Sequence, residues 1–275
     1  MASDRAGAQI DIRNVDKVFS GRDGDVVALR DIDLEIGKGE FVCLLGPSGC
    51  GKSTLLNAIA GFSLPTAGTL QVEGAQIMAP GPDRGMVFQE YALFPWMSVE
   101  RNIAFGLEIK RAPRPVIDAK VNELLDVLGL REFRARYPKD LSGGMRQRVA
   151  IARALAIEPN LLLMDEPFAS LDVGLRRRLQ NLVVDEISGG DVAAVFVTHD
   201  VAEAVRLATR IVVLSPRPAR IVADFPNEPV AAAPLIHEAA AAVLRRAPVA
   251  QALFADAYSG DKPLHVAPNL SRSIA

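Results

Sequence analysis

A chain of 275 residues, 49% of them hydrophobic, can fill a substantial core as one large domain or two modest ones. Its 31 basic and 33 acidic side chains leave a formal charge of -2, which excludes the broad basic field that gathers nucleic acid and makes any phosphate binding local. Two cysteines, Cys43 and Cys50, are too few for a disulfide framework and lack metal-ligand spacing, as expected in a reducing cytoplasm.

The opening stretch MASDRAGAQI carries Asp4 and Arg5 but no apolar run of signal-peptide length, so export is not expected. Ile10 to Phe19 and Val26 to Ile36 alternate apolar and polar residues, with Gly21 and Gly24 between them. That pattern predicts an antiparallel hairpin forming an accessory β-layer. Apolar runs then end on a polar or glycine residue at Phe41 to Leu45 before Gly46, Met86 to Phe88 before Gln89, Leu161 to Met164 before Asp165, and Val195 to Val197 before Thr198 and His199. Runs that are apolar throughout suit parallel strands covered on both faces, and such sheets bind ligands beyond the carboxyl ends of their strands. The expected fold is α/β with a mainly parallel sheet.

Between Gln89 and Leu141 the β signal fades, and Val99 to Gly106 and Val116 to Leu128 predict helices, with Pro113 and Pro115 starting the second. This is read as a helical insert. Beyond Ile221 come Pro226, Pro229 and Pro234, then an alanine-rich helix candidate, Ile236 to Arg246, suggesting a tail packed on the main domain. No apolar run approaches the roughly 20 residues that span a bilayer, so any membrane role is expected to be peripheral.

Gly46-Pro47-Ser48-Gly49-Cys50-Gly51-Lys52-Ser53-Thr54 matches the phosphate-loop pattern, after one predicted strand and before the helix candidate Leu55 to Ala60. Its glycines let backbone N–H groups turn toward phosphates, Lys52 can neutralise β and γ oxygens, and Ser53 can ligate Mg²⁺. Asp165 and Glu166 follow the run at Leu161. Asp165 can hold the magnesium shell, and Glu166 can orient or deprotonate an attacking water. Alone, such an acidic pair could equally begin a loop before Pro167.

Leu141-Ser142-Gly143-Gly144-Met145 precedes a predicted helix whose positions Met145, Val149, Ala152 and Ala156 form one apolar face. Ser142 is its expected N-cap, a geometry shared by an ordinary helix start and by a phosphate site. Followed by Arg146-Gln147-Arg148, this stretch resembles the signature of the ABC ATPase family. The family's other motifs stand in order: Gln89 resembles the Q-loop glutamine, Ser170-Leu171-Asp172 the D-loop, and His199 the switch histidine. Phe19 resembles the aromatic that stacks on adenine, although a core phenylalanine fits as well. The match runs from about Ile10 to Phe225 and implies an ATPase domain over 9–225, a helical subdomain over about 90–158, and a tail over 226–275.

The resemblance implies ATP and Mg²⁺ as cofactors, with Ser53, Gln89 and Asp165 toward the metal and Glu166, Gln89 and His199 in catalysis. It also implies a head-to-tail homodimer in which the loop of one subunit and Ser142, Gly143 and Gly144 of the other enclose each ATP, with Asp172 at that junction. Membrane permease subunits and a periplasmic solute-binding protein would complete the assembly on the cytoplasmic face of the inner membrane. Phe94 and Trp96 could dock a permease helix or lie in the core. Phe88 to Trp96 and Leu214 to Pro218 resemble the nitrate, sulfonate and taurine importer ATPases, which usually carry glycine where this chain has Ala219. The rival reading, an ABC ATPase acting on nucleic acid or ribosomes, would call for a long coiled-coil insertion, two cassettes or a wide basic face, none of which the sequence offers.

Overall fold

The computed structural model describes residues 8–229, apart from 23, 170, 188 and 190, together with Ala240 and Ala242. The two alternating segments form β1 (Ala8–Gly21) and β2 (Gly24–Gly37), paired antiparallel with Gly21 opposite Gly24. Their inward residues, including Ile10, Ile12, Ile32 and Ile36, are fully buried. The chain continues through β3 (Phe41–Leu45), α1 (Lys52–Ala60), β4 (Ala67–Val72), β5 (Ala75–Gln76) and β6 (Arg84–Val87). Helices α2 (Val99–Ile109), α3 (Arg114–Val127) and α4 (Gly143–Ala156) follow. The second half alternates: β7 (Leu161–Asp165), α5 (Val173–Ile187), β8 (Ala193–Thr198), α6 (Val201–Leu207), β9 (Arg210–Leu214) and β10 (Ile221–Pro226).

The accessory layer is larger than the expected hairpin, because β4 pairs with the free edge of β1 and β5 extends it, in the order β2-β1-β4-β5. The central sheet runs β10-β9-β3-β8-β7-β6, parallel except for the antiparallel edge strand β10. Every residue of β3, β7 and β8 is buried, which is why these strands read as unbroken apolar runs. Alternate side chains serve different layers. Phe41, Cys43, Leu45, Met164 and Phe196 pack toward the helical side, whereas Val42, Leu44, Leu163, Val195 and Val212 pack with α1 and the β-layer.

In-register pairing of Leu45 with Thr198, of Asp165 with Val197 and of Val87 with Met164 brings the carboxyl ends of β3, β8, β7 and β6 to one edge. The strand expected over Met86 to Phe88 is Arg84–Val87; Phe88 leaves the ladder and packs on Phe62, ring centroids 5.5 Å apart. The face expected on α4 is also too narrow. Val149 to Ala152 and Ala154 to Ala156 are buried without a gap apart from Arg153, because α4 packs among the sheet, α2 and α3, while Met145 in its first turn is half-buried.

Helix α2 starts at Ser98, whose Oγ accepts the Arg101 N–H at 3.3 Å, and α3 starts at Pro113, whose fixed φ suits a helix entrance. Phe94 is half-buried against Phe105, 4.5 Å between centroids, whereas Trp96 is 69% exposed. The helix expected over Ile236 to Arg246 lies outside the described residues save Ala240 and Ala242, both helical. Among the described residues no helix is long and apolar enough to cross a membrane.

Candidate functional site

Strand β3 delivers the chain into the loop Gly46 to Gly51, and α1 begins at Lys52. Gly49 and Gly51 sit at φ +73° and +129°, where an L side chain is strained. A Cβ on Gly51 would also lie 2.9 Å from the Ala28 carbonyl oxygen and 3.2 Å from the Ala219 methyl. Cys50 N–H turns back to Pro47 O at 3.3 Å and Leu55 N–H starts the helix ladder by donating to Gly51 O at 2.9 Å, so the first-turn amides between them are left to face an anion. The Lys52 ammonium donates to the carbonyls of Gly46 at 2.8 Å and Pro47 at 2.9 Å, which fixes it over the loop with one of its three donors to spare.

Asp165, the last residue of β7, is buried, and its Oδ1 accepts the Ser53 hydroxyl at 3.0 Å. Burial raises its pKa, the Ser53 hydrogen bond opposes that, and the adjacent Glu166 adds to the rise. Two hard oxygen donors at this distance, one of them a carboxylate that burial disfavours as an anion, fit a magnesium ion. Glu166 takes φ +45°, its N–H donates to Val197 O at 3.1 Å, and its Oε1 lies 3.1 Å from His199 Nδ1. A non-glycine residue in that region is strained, and here the strain accompanies a carboxylate aimed at the cleft.

Ser48, Gly49, Gly51, Lys52, Ser53, Thr54, Gln89, Glu166 and His199 line a single cleft of about 330 Å³. Gly46, Pro47 and Cys50 do not line it; Cys50 is buried, and its Sγ would be 3.0 Å from a Cβ on Gly46. Phe19 does not line it: the ring is 45% exposed near the end of β1, with Lys17 Nζ 5.0 Å from its centroid. Ser142, Gly143, Gly144 and Asp172 also stand apart from this cleft. Ser142 Oγ accepts the Met145 N–H at 3.3 Å as the N-cap of α4, and Asp172 Oδ1 accepts the Leu175 N–H at 2.9 Å. Ser170 lies outside the described residues.

The segment after Gln89 is tied to α4. Tyr91 and Ala92 both take positive φ, +63° and +45°, and Arg153 donates to their carbonyls at 3.3 and 2.6 Å. The Arg146 guanidinium covers the Tyr91 ring at 5.5 Å, and a Cβ on Gly143 would meet the Tyr91 hydroxyl at 3.2 Å. Two polar residues near the cleft were given no site role by the sequence, although Arg217 lies within the Leu214 to Pro218 stretch. Arg217 lines the cleft from the loop after β9, and Glu203 on α6 lies in a smaller cavity beside Glu166 and His199.

A family model described as ABC transporter matches residues 29–169. The chain belongs to the ABC transporter family. It is 49% identical over 212 residues to the nitrate import ATP-binding protein NrtD of Synechocystis sp., covering 77% of this chain and 80% of that one. It is 46% identical over 217 residues to the taurine import ATP-binding protein TauB of Roseobacter denitrificans, covering 78% and 81%. Among solved structures, the dimeric post-hydrolysis state of the ATP-binding cassette MJ0796, bound to ADP and Pi, superposes with a TM-score of 0.70 at 31% identity. That match spans 78% of this chain and all of the other. The parallel sheet, β-layer and helices of this ABC ATPase cassette are therefore the family's fold.

Proposed function

We propose that this chain is the ATP-hydrolysing subunit of an ABC importer and that its cleft energises uptake of a small solute of the nitrate, sulfonate or taurine class. The observation that carries the chemistry is the meeting of Lys52 and Ser53 with the Glu166–His199 pair across one cleft. The 49% and 46% identities to nitrate and taurine import subunits support the transport role.

The free N–H groups of the loop and of the first turn of α1 bind the phosphate chain, and Lys52 places its remaining donor on the β and γ oxygens. Ser53, Asp165 and Gln89 would hold a magnesium ion, which when bound would neutralise phosphate charge. Glu166 orients and accepts a proton from the attacking water. His199, bonded to Glu166 Oε1, holds that carboxylate in place and reaches toward the γ-phosphate.

Ser142, Gly143 and Gly144 stand outside the cleft of their own chain, so in this reading they close the cleft of a second copy in a head-to-tail dimer, with Phe19 on the adenine and Asp172 at the junction. Residues 9–225 form the ATPase domain, 90–158 its helical subdomain and 226–275 a tail. The assembly sits on the cytoplasmic face of the membrane against permease subunits fed by a solute-binding protein. The exposed Trp96, in the segment that follows Gln89, is a contact for the permease.

Glu166→Gln tests the site. It should abolish phosphate release while retaining ATP, and the nucleotide-loaded protein should elute as a dimer in size-exclusion chromatography. Parent turnover in that variant would remove Glu166 from the reaction.

A further inference from the structure

The loop between β9 and β10 brings a second cation into the phosphate cleft. Strand order places β9 directly beside β3, so the residues after Leu214 emerge next to the phosphate loop although about 170 positions separate them in sequence. The Arg217 Nη2 donates to the carbonyl of Gly49 at 2.8 Å, and its side chain lines the cleft with Lys52 and Ser53. Its neighbours in the same hairpin are engaged elsewhere: Arg210 pairs with Asp224 at 2.7 Å and Arg220 with Asp31 at 3.2 Å. Arg217 takes part in no ion pair among the described residues.

The loop that carries it is built to hold still. Ser215 N–H donates to Arg220 O at 2.9 Å, while Ser215 Oγ accepts the Arg220 N–H at 3.0 Å and donates toward Pro218 O at 3.1 Å. Ala219 then exchanges two backbone bonds with β2, its N–H to Ala28 O and its carbonyl from the Arg30 N–H, each 2.9 Å. The same Ala219 is fully buried against the loop glycine Gly51. The arginine is thus presented from a platform anchored to both the β-layer and the phosphate loop, so little freedom remains to be lost when a ligand arrives.

We propose that Arg217 is a nucleotide-binding residue whose guanidinium contacts a phosphate of the bound nucleoside triphosphate. One of its five donors holds Gly49, and the others are available to the cleft. A nucleoside triphosphate carries more negative charge than one divalent cation and one lysine neutralise, and Arg217 is the second unpaired cation lining this cleft. The proposal rests on the phosphate-cleft reading above and extends it to a loop outside the phosphate-binding motif.

The test is equilibrium binding of MgATP to the ligand-free full chain, parent against Arg217→Ala and Arg217→Lys, at low and high potassium chloride, with ligand-free melting temperature as the folding control. Arg217→Ala should keep the parent melting temperature, lose about tenfold in affinity and flatten the salt dependence, and Arg217→Lys should recover part of the loss. Parent-like affinity in Arg217→Ala overturns the proposal. So does an equal loss in both variants with the parent salt dependence, which would make Arg217 only a tether for Gly49. If the parent chain itself fails to bind MgATP, the cleft reading fails first.

Discussion

Glu203 offers a quantitative test of how the cleft is built. Its carboxyl lies on α6 beneath His199 and accepts the Gln180 amide from α5 at 2.9 Å, so it ties together the helices that follow Asp172 and His199. Burial raises its pKa from the ordinary 4.5 to about 7; Asp200 adds to the rise, while Thr198, Arg176 and Gln180 oppose it. The folded state therefore holds this proton over a window where the unfolded chain has released it. The sign follows: the ionised carboxylate imposes no cost below about pH 4.5, and the cost grows to its full value above about pH 7, worth about 3 kcal/mol. Glu203→Gln keeps an oxygen for Gln180 and removes the charge, so the variant should gain on the parent as pH rises. Part of that cost is already present at pH 5, and each kcal/mol moves the melting temperature of a domain this size by about 2–4 °C, so the expected divergence from pH 5 to pH 8 is about 5–10 °C. Ligand-free thermal melts of both proteins from pH 5 to pH 8 at one scan rate would show it. Parallel curves across that range would refute the burial reasoning.

Two further outcomes follow from the loop. Lys52→Ala should weaken MgATP binding about tenfold or more in a fluorescence titration, since a charge-assisted donor is lost; undiminished affinity would remove the phosphate-loop assignment. Gly51→Ala forces a side chain into φ +129° and to 2.9 Å from Ala28 O. It should lower the ligand-free melting temperature by about 4 °C or more, with ATP turnover falling in parallel. A parent melting curve together with parent KM would show that the loop relaxes freely.

The central strands were legible because Phe41 to Leu45 and Leu161 to Met164 are buried on both faces and so carry no polar interruptions. Strands β4 and β5 were not, because Ala67–Val72 has only Leu70 and Val72 buried and β5 is two exposed residues. Phe88 misled for a different reason: its apolar neighbours extend the strand pattern, yet its ring is used on Phe62. At the site, contiguous motifs put Lys52, Ser53, Asp165, Glu166 and Gln89 within reach of the reading. Glu203 escaped it, and Arg217 was visible only as part of the Leu214 to Pro218 resemblance, because strand order, which no local spacing encodes, decides what lies beside Gly49 and His199. Ala219, noted only as a departure from glycine, proves to be a packing partner of Gly51.

Helix α4 joins two separate contacts along its length. Its first turn presents Ser142 to Gly144, and about 15 Å further along Arg153 holds the carbonyls of Tyr91 and Ala92. Both residues sit at positive φ, a costly conformation outside glycine, and the guanidinium bonds the carbonyls of that turn. Phe94 follows those two carbonyls in the chain and is itself tied to α2 by Asn102, so the surface around Phe94 and Trp96 is connected to the helix that carries Ser142 through Arg153 and through the packing of α2 on α4.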